Sequence, residues 1–110
     1  MNLVFFRTEA GTEPVREWLL SLRKPERKIV GSDILAVQYA WPVGKPLVDS
    51  FGNGLWEIRS KLKDSIARTL FIIANEEIVL MHAFIKKSRT TPKSDLQLAR
   101  KRQKEYLSYL

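Results

Sequence analysis

"GLWEIRSKLKDSIARTLFIIANEEIVLMHAFIKK", residues 54–87, decides the fold of this chain. Trp56, Ile58, Ser60 and Leu62 alternate with Glu57, Arg59, Lys61 and Lys63, the signature of a half-buried strand. Lys63-Asp64 is the expected turn. "SIARTLFIIA" is apolar on both faces and reads as a central strand. Asn75-Glu76 marks a second turn, and "EIVLMHAFIKK" supplies a further strand. The stretch therefore predicts a three-strand antiparallel meander.

Its basic residues raise the functional question. Side chains on a strand alternate between faces. With two-residue loops at both turns, Arg59 pairs with Arg68, Ser60 with Ala67, and Leu62 with Ser65. Arg68 then pairs with Ala83, and Ile66 with Ile85. Arg59, Lys61, Arg68 and Lys87 fall on one face, with the small Ala83 between them. Like charges directly opposed on a sheet are destabilising by about 0.2–1 kcal/mol, and burial adds to that. An anion relieves both, since a phosphate accepts strong, often bidentate hydrogen bonds from arginine. The face reads as an anion-binding floor. In the same register His82 faces Thr69, on the side away from Arg68, and reads as a hydrogen-bonded interior residue. Trp56, Phe71 and Phe84 lie inside apolar strands and read as core.

Upstream of the meander, "NLVFF" at residues 2–6 predicts a first strand rather than a signal-peptide core or membrane span. "GTEP" follows with helix-start chemistry and Pro14 in the first turn. Val15, Trp18, Leu19 and Leu22 make one apolar helical stripe. Pro25 ends that helix or starts another. Val30, Ile34, Val37 and Trp41 give a second stripe over residues 26–41, and "WPVGKP" stops it. These two helices form a helical hairpin able to cover a sheet face. Leu47–Phe51 reads as a short strand or an extended link, and "GNG" as a turn. Downstream, Thr91-Pro92 opens a last helix, with Thr91 as N-cap. Leu96, Ala99, Gln103, Tyr106, Leu107 and Leu110 form its stripe.

At 110 residues and 45% hydrophobic, the chain has material for one core and one domain, residues 1–110. Its net charge is +7. Through Leu55 there are 7 Lys/Arg against 6 Asp/Glu; beyond it there are 12 against 6. Such localised excess suits an anionic partner such as nucleic acid. The absence of cysteine excludes disulfides and thiol catalysis and fits a reducing cytoplasm. With one histidine a zinc or haem site is not expected, and no cofactor is. There is no phosphate-cradling glycine loop, no glycosidase carboxylate pair and no nucleophile elbow.

The order strand, helical hairpin, three-strand meander and terminal helix resembles the RelE/ParE superfamily of type II toxins, most closely its HigB-like, phage-derived branch. The carriers are "PLVDSFGNG", "GLWEIRSKLKDSIARTLF" and "EIVLMHAFIKKSRTTPKSDLQLARKR". They resemble that branch's Leu-Trp-Glu-Leu-Arg pattern, its Ala-Arg before an apolar strand, its His–aromatic–Lys-Lys strand end and its Thr-Pro opening a basic helix.

The resemblance implies an α+β fold: an antiparallel sheet of about four strands with helices against one face. It implies a cytoplasmic endoribonuclease, an mRNA interferase working on the ribosome. It also implies a cognate antitoxin, commonly a helix-turn-helix protein, and operator DNA bound only through that antitoxin. By position, Arg68 matches the strand arginine that holds the scissile phosphate. Arg59 and Lys61 match the basic pair before it, and Lys86 and Lys87 the basic strand end. Arg59 and Arg68 are expected to stabilise the transition-state phosphate and Lys87 to act as acid, with Lys86 or Lys61 as base. Lys61, Lys86, Arg89, Lys93, Arg100, Lys101 and Arg102 are expected to bind RNA. Relatives often use a C-terminal tyrosine, for which Tyr106 is the candidate. The alternatives are a ParE-like gyrase inhibitor, which lacks the basic cluster, and a non-catalytic nucleic-acid-binding phage accessory protein.

Overall fold

The computed structural model describes all 110 residues, Met1–Leu110. The chain runs β1 (Asn2–Phe5), α1 (Pro14–Ser21), α2 (Lys24–Ala40), β2 (Val48–Gly52), β3 (Leu55–Lys61), β4 (Ile66–Ala74), β5 (Glu77–Lys86) and α3 (Lys93–Ser108). The strands form one sheet in the order β1-β5-β4-β3-β2. The sheet has five strands and is mixed, not four antiparallel ones. Leu47–Phe51 does contribute a strand, β2, and β1 lies parallel to β5 rather than antiparallel. The two helices between β1 and the meander carry the chain back, so that β1 can enter beside β5 in the same direction.

The helices cover both faces of the sheet, not one. On one face, Val15 of α1 and Val30, Ile34 and Val37 of α2 pack with Ile58, Ala67, Phe71, Ile78 and Leu80. Trp41 adds edge-on contacts to Trp56 at 5.0 Å and to Phe71 at 5.4 Å. On the other face, Leu55, Leu70, Ile72, Val79, Met81 and Phe84 pack with Ala99 of α3, and Leu96 and Tyr106 lie against them. A strand with cores on both sides must be apolar at every position, which is why β4 reads as a continuous run. Each fully buried Leu, Ile or Phe contributes roughly 1.5–3 kcal/mol. Pro25 starts α2 rather than ending α1. Arg27 then donates to the carbonyls of Leu19, Leu20 and Leu22 at the end of α1, where Leu19 O also accepts from the Leu22 N–H.

Both meander turns fall where the sequence places them. Leu62 N–H donates to Ser65 O around Lys63-Asp64, and Arg59 pairs with Arg68 and Ser60 with Ala67. Asn75 and Glu76 form a two-residue loop with φ of 51° and 60°, the left-handed geometry that matches strand twist in a hairpin. The β4–β5 ladder then departs from the expected register. Phe71 pairs with Leu80, but Leu70 pairs with His82, leaving Met81 as a bulge. An extra residue in one strand shifts every later pairing by one and turns the strand over. Arg68 therefore faces Phe84, not Ala83, and Ile66 faces Lys86, not Ile85. His82 is brought to the face of Arg68 and α3 instead of the opposite one.

Candidate functional site

Strand β3 directs Glu57, Arg59 and Lys61 to the α3 face, and β4 directs Arg68 to the same face. Arg59 and Arg68 are direct cross-strand neighbours. Glu57 separates their charges. Its Oε1 lies 3.9 Å from Arg59 Nε and 3.8 Å from Arg68 Nε. Arg68 is wholly buried, at 0% exposure, and Glu57 nearly so, at 3%.

A buried guanidinium requires acceptors. Those of Arg68 come from the segment that joins β5 to α3. Its Nη1 donates to Thr90 O at 2.8 Å and its Nη2 to Ser88 O at 2.5 Å. Arg59 Nη2 donates to Arg89 O at 3.3 Å. Thr91 closes the set, its hydroxyl donating to Glu57 Oε2. Three successive carbonyls thus face two arginines. Thr91 does not cap α3: the N-cap is Pro92, whose side chain has no hydrogen-bonding group, and the Thr91 hydroxyl donates to Glu57 instead. Arg68 Nε has no hydrogen-bond partner.

Burial pushes the Glu57 carboxyl above the usual carboxylate range, and the Asp49 charge opposite adds to that. The Thr91 hydroxyl, Arg68 and Arg59 pull the other way without cancelling it. Burial lowers the Arg68 pKa, Glu57 opposes the change and Arg59 adds to it. A guanidinium stays protonated across the physiological range regardless. A hollow of about 230 Å³ opens beside these groups, lined by Asp49, Phe51, Glu57, Arg59 and Arg89–Thr91. Larger hollows of about 670, 660 and 400 Å³ lie at the β4–β5 turn, between Thr8–Ala10 and α3, and between Ile29 and Asp33 of α2 and Arg59 and Lys61 of β3. Only the smallest is lined by Glu57, Arg59 and Arg89–Thr91 together, so it is the better candidate site, although Arg68 itself does not line it.

The other expected site residues divide. Lys61 and Lys86 are exposed at the ends of their strands, both on the Arg68 face. Lys87 lies one residue beyond β5 and is exposed; the ladder that was to align it with Arg68 aligns Lys86 instead. Arg89 is exposed, with its carbonyl turned to Arg59. Lys93 and Lys101 are exposed on α3. Arg100 and Arg102 are occupied within the fold. Arg100 donates to Phe51 O and Gly52 O at 2.8 and 2.9 Å. Arg102 donates to Met81 O at 2.8 Å and lies over the Phe6 ring. Tyr106 packs near Glu77, at the other end of β5. Seven strand positions separate Glu77 from Phe84, the partner of Arg68, or roughly 20 Å of strand. Tyr106 therefore does not join this cluster.

His82 joins α3 to the sheet. Its Nε2 lies 2.7 Å from Asp95 Oδ1 and its Nδ1 3.4 Å from Arg102 Nη1. Neutral imidazole with the proton on Nε2 donates to Asp95 and accepts from Arg102. Burial depresses its pKa, the bond to Asp95 opposes that, and the Arg102 charge adds to it.

Residue patterns offer Glu57 only as a polar position of an alternating strand and as a structural ion-pair partner for Arg68, and the structure pairs those two at 3.8 Å; its place in the candidate site is what they miss. Its signal was the spacing Glu57-x-Arg59, which puts a carboxylate and an arginine on one face of one strand.

The family described as "Phage derived protein Gp49-like (DUF891)" matches residues 17–104, from α1 through most of α3 and including every residue of this cluster. The chain belongs to the Gp49-like family. That family is phage-derived and toxin-like, within the RelE/ParE-like toxin superfamily, and its membership suggests an antitoxin partner. No curated protein matches the chain significantly. No helix of this Gp49-like protein is long and apolar enough to cross a membrane.

Proposed function

We propose that this Gp49-like protein is the toxin of a type II toxin–antitoxin system, a metal-independent endoribonuclease that cleaves mRNA on the ribosome. One observation carries the reading: Arg59 and Arg68 are opposed on one face and share a buried carboxylate. Two converging guanidiniums suit the charge that builds on a phosphodiester under attack, and each is expected to contribute about 3–4 kcal/mol at the transition state.

In this reading the RNA 2′-hydroxyl attacks the adjacent phosphorus and the P–O5′ bond breaks. Glu57 takes the 2′ proton. Burial that raises its pKa makes the ionised Glu57 carboxylate a stronger base than an exposed one. Lys87, or Lys86 on the Arg68 face, protonates the departing 5′ oxygen. The products are a 2′,3′-cyclic phosphate and a 5′-hydroxyl. Lys61, Arg89, Lys93 and Lys101 are exposed for contact with the RNA backbone. Operator DNA is reached through the antitoxin, expected to be a helix-turn-helix protein.

Induction in cells followed by mapping of mRNA 5′ ends tests the proposal. New ends at codon-linked positions, abolished by Arg59→Ala, are expected. Intact mRNA with arrested replication would replace it with the gyrase-inhibitor reading, and neither effect would leave a binding protein.

A further inference from the structure

We propose that Ser88–Thr91 is a strap that occupies the anion site as an internal substitute for phosphate, and that RNA gains Arg68 only when the strap lifts. The inference rests on the site proposed above and adds a closed and an open state to it.

Four bonds argue for a strap. Arg68 gives both terminal nitrogens to Ser88 O and Thr90 O, Arg59 gives one to Arg89 O, and Thr91 gives its hydroxyl to Glu57. Carbonyl oxygens from three successive residues thus stand where phosphate oxygens would meet the two guanidiniums. They carry partial rather than full negative charge, so a phosphodiester makes the stronger, charge-assisted bonds. The exchange is balanced: the same donors are satisfied before and after, by carbonyl or by phosphate. In the closed state Arg68 has no exposed surface and cannot touch a ligand.

The strap can lift without undoing α3. Ser88, Arg89 and Thr90 are themselves exposed and lie outside any helix or strand. Helix α3 is anchored independently through His82–Asp95, Arg102 to Met81 O, Arg100 to Phe51 O and Gln103 to Asn53 O. A ligand that requires the minor, open state binds with its affinity reduced by the open fraction, and anything that loosens the strap returns that factor.

Two measurements test this. The first uses no RNA: Arg68 guanidinium hydrogen exchange by NMR, in the native chain and in Thr91→Val, which keeps the shape but removes the hydroxyl that holds Glu57. Exchange at least tenfold faster in the variant, with the α3 amides unchanged, is expected. Equal exchange would overturn the strap. The second uses the absence of cysteine. Asp49→Cys with Arg89→Cys, two residues lining the same hollow, can be bridged by a short bis-maleimide linker with a cleavable disulfide core. A 2′-O-methyl RNA oligonucleotide, which cannot be cut, should bind the bridged protein at least tenfold more weakly than the same variant after cleavage of the linker. Equal affinity before and after would overturn the proposal. If no form binds RNA, the ribonuclease reading fails, and the exchange comparison still decides whether the strap opens.

Discussion

Arg59 and Arg68 face each other across the β3–β4 ladder, one a third exposed and the other wholly buried, with Glu57 Oε1 within 4 Å of both Nε atoms. The difference in burial separates two effects that a mutation would otherwise mix. Arg68→Ala leaves Glu57 buried without its nearest cation and frees two strap carbonyls, so a loss of about 3–5 kcal/mol is expected. Arg59→Ala removes a partly exposed charge and should cost about 1 kcal/mol or less. Urea midpoints measure both. Cleavage lost in a stable Arg59→Ala protein assigns a role in the reaction, whereas cleavage lost in Arg68→Ala alone does not.

Glu57 should make stability fall as pH rises above about 4.5. Its folded pKa is raised above the ordinary 4.5 because burial disfavours the charged form. The protonated form is therefore the better-tolerated one. Its contribution is fully present below about 4.5 and is lost as pH rises through the folded value. Glu57→Gln, close in volume and never charged, should flatten that part of the curve in denaturant titrations run at successive pH values. It should also abolish cleavage.

His82, the only histidine, gives one imidazole signal to follow by NMR. It should titrate below 6.5, since burial and Arg102 outweigh the help from Asp95. Asp95→Asn should lower the value further and Arg102→Gln should raise it. A folded pKa below the unfolded one contributes stability above pH 6.5 that is lost as pH falls through the folded value. The docking of α3 should therefore loosen on acidification, visible as faster amide exchange along the helix.

The basic residues of α3 should separate into two kinds. Arg100→Ala removes charged hydrogen bonds to Phe51 O and Gly52 O and should cost about 1–3 kcal/mol. Lys93→Ala and Lys101→Ala touch only solvent-exposed side chains and should stay within about 0.5 kcal/mol of the parent. If those lysines contact phosphates, each should reduce the slope of log K against log salt by about 0.7 for single-stranded RNA. Binding at several salt concentrations beside thermal melts distinguishes the two kinds.

Local rules made much of this protein legible in its sequence. Alternation over residues 55–62 fixed which side chains β3 shares with Arg68, and the Lys63-Asp64 turn fixed the pairing of Arg59 with Arg68. Both depend on neighbours a few residues apart. The helical stripes of α1 and α2 were readable for the same reason.

What only tertiary structure decided lies at contacts distant in sequence. No local signal marks the bulge at Met81: "VLMHAF" is apolar enough for either register. The extra residue is accommodated because Met81 packs in the α3-side core while His82 reaches Asp95 and Arg102 on α3. The parallel seat of β1 beside β5, the use of Arg100 and Arg102 as anchors and the covering of Arg68 by Ser88–Thr91 depend on elements meeting from 20 to 75 positions apart. Charge alone showed that the chain gathers cations. Burial decided which of them the fold itself uses, since a guanidinium inside a protein must find acceptors before it can serve a ligand.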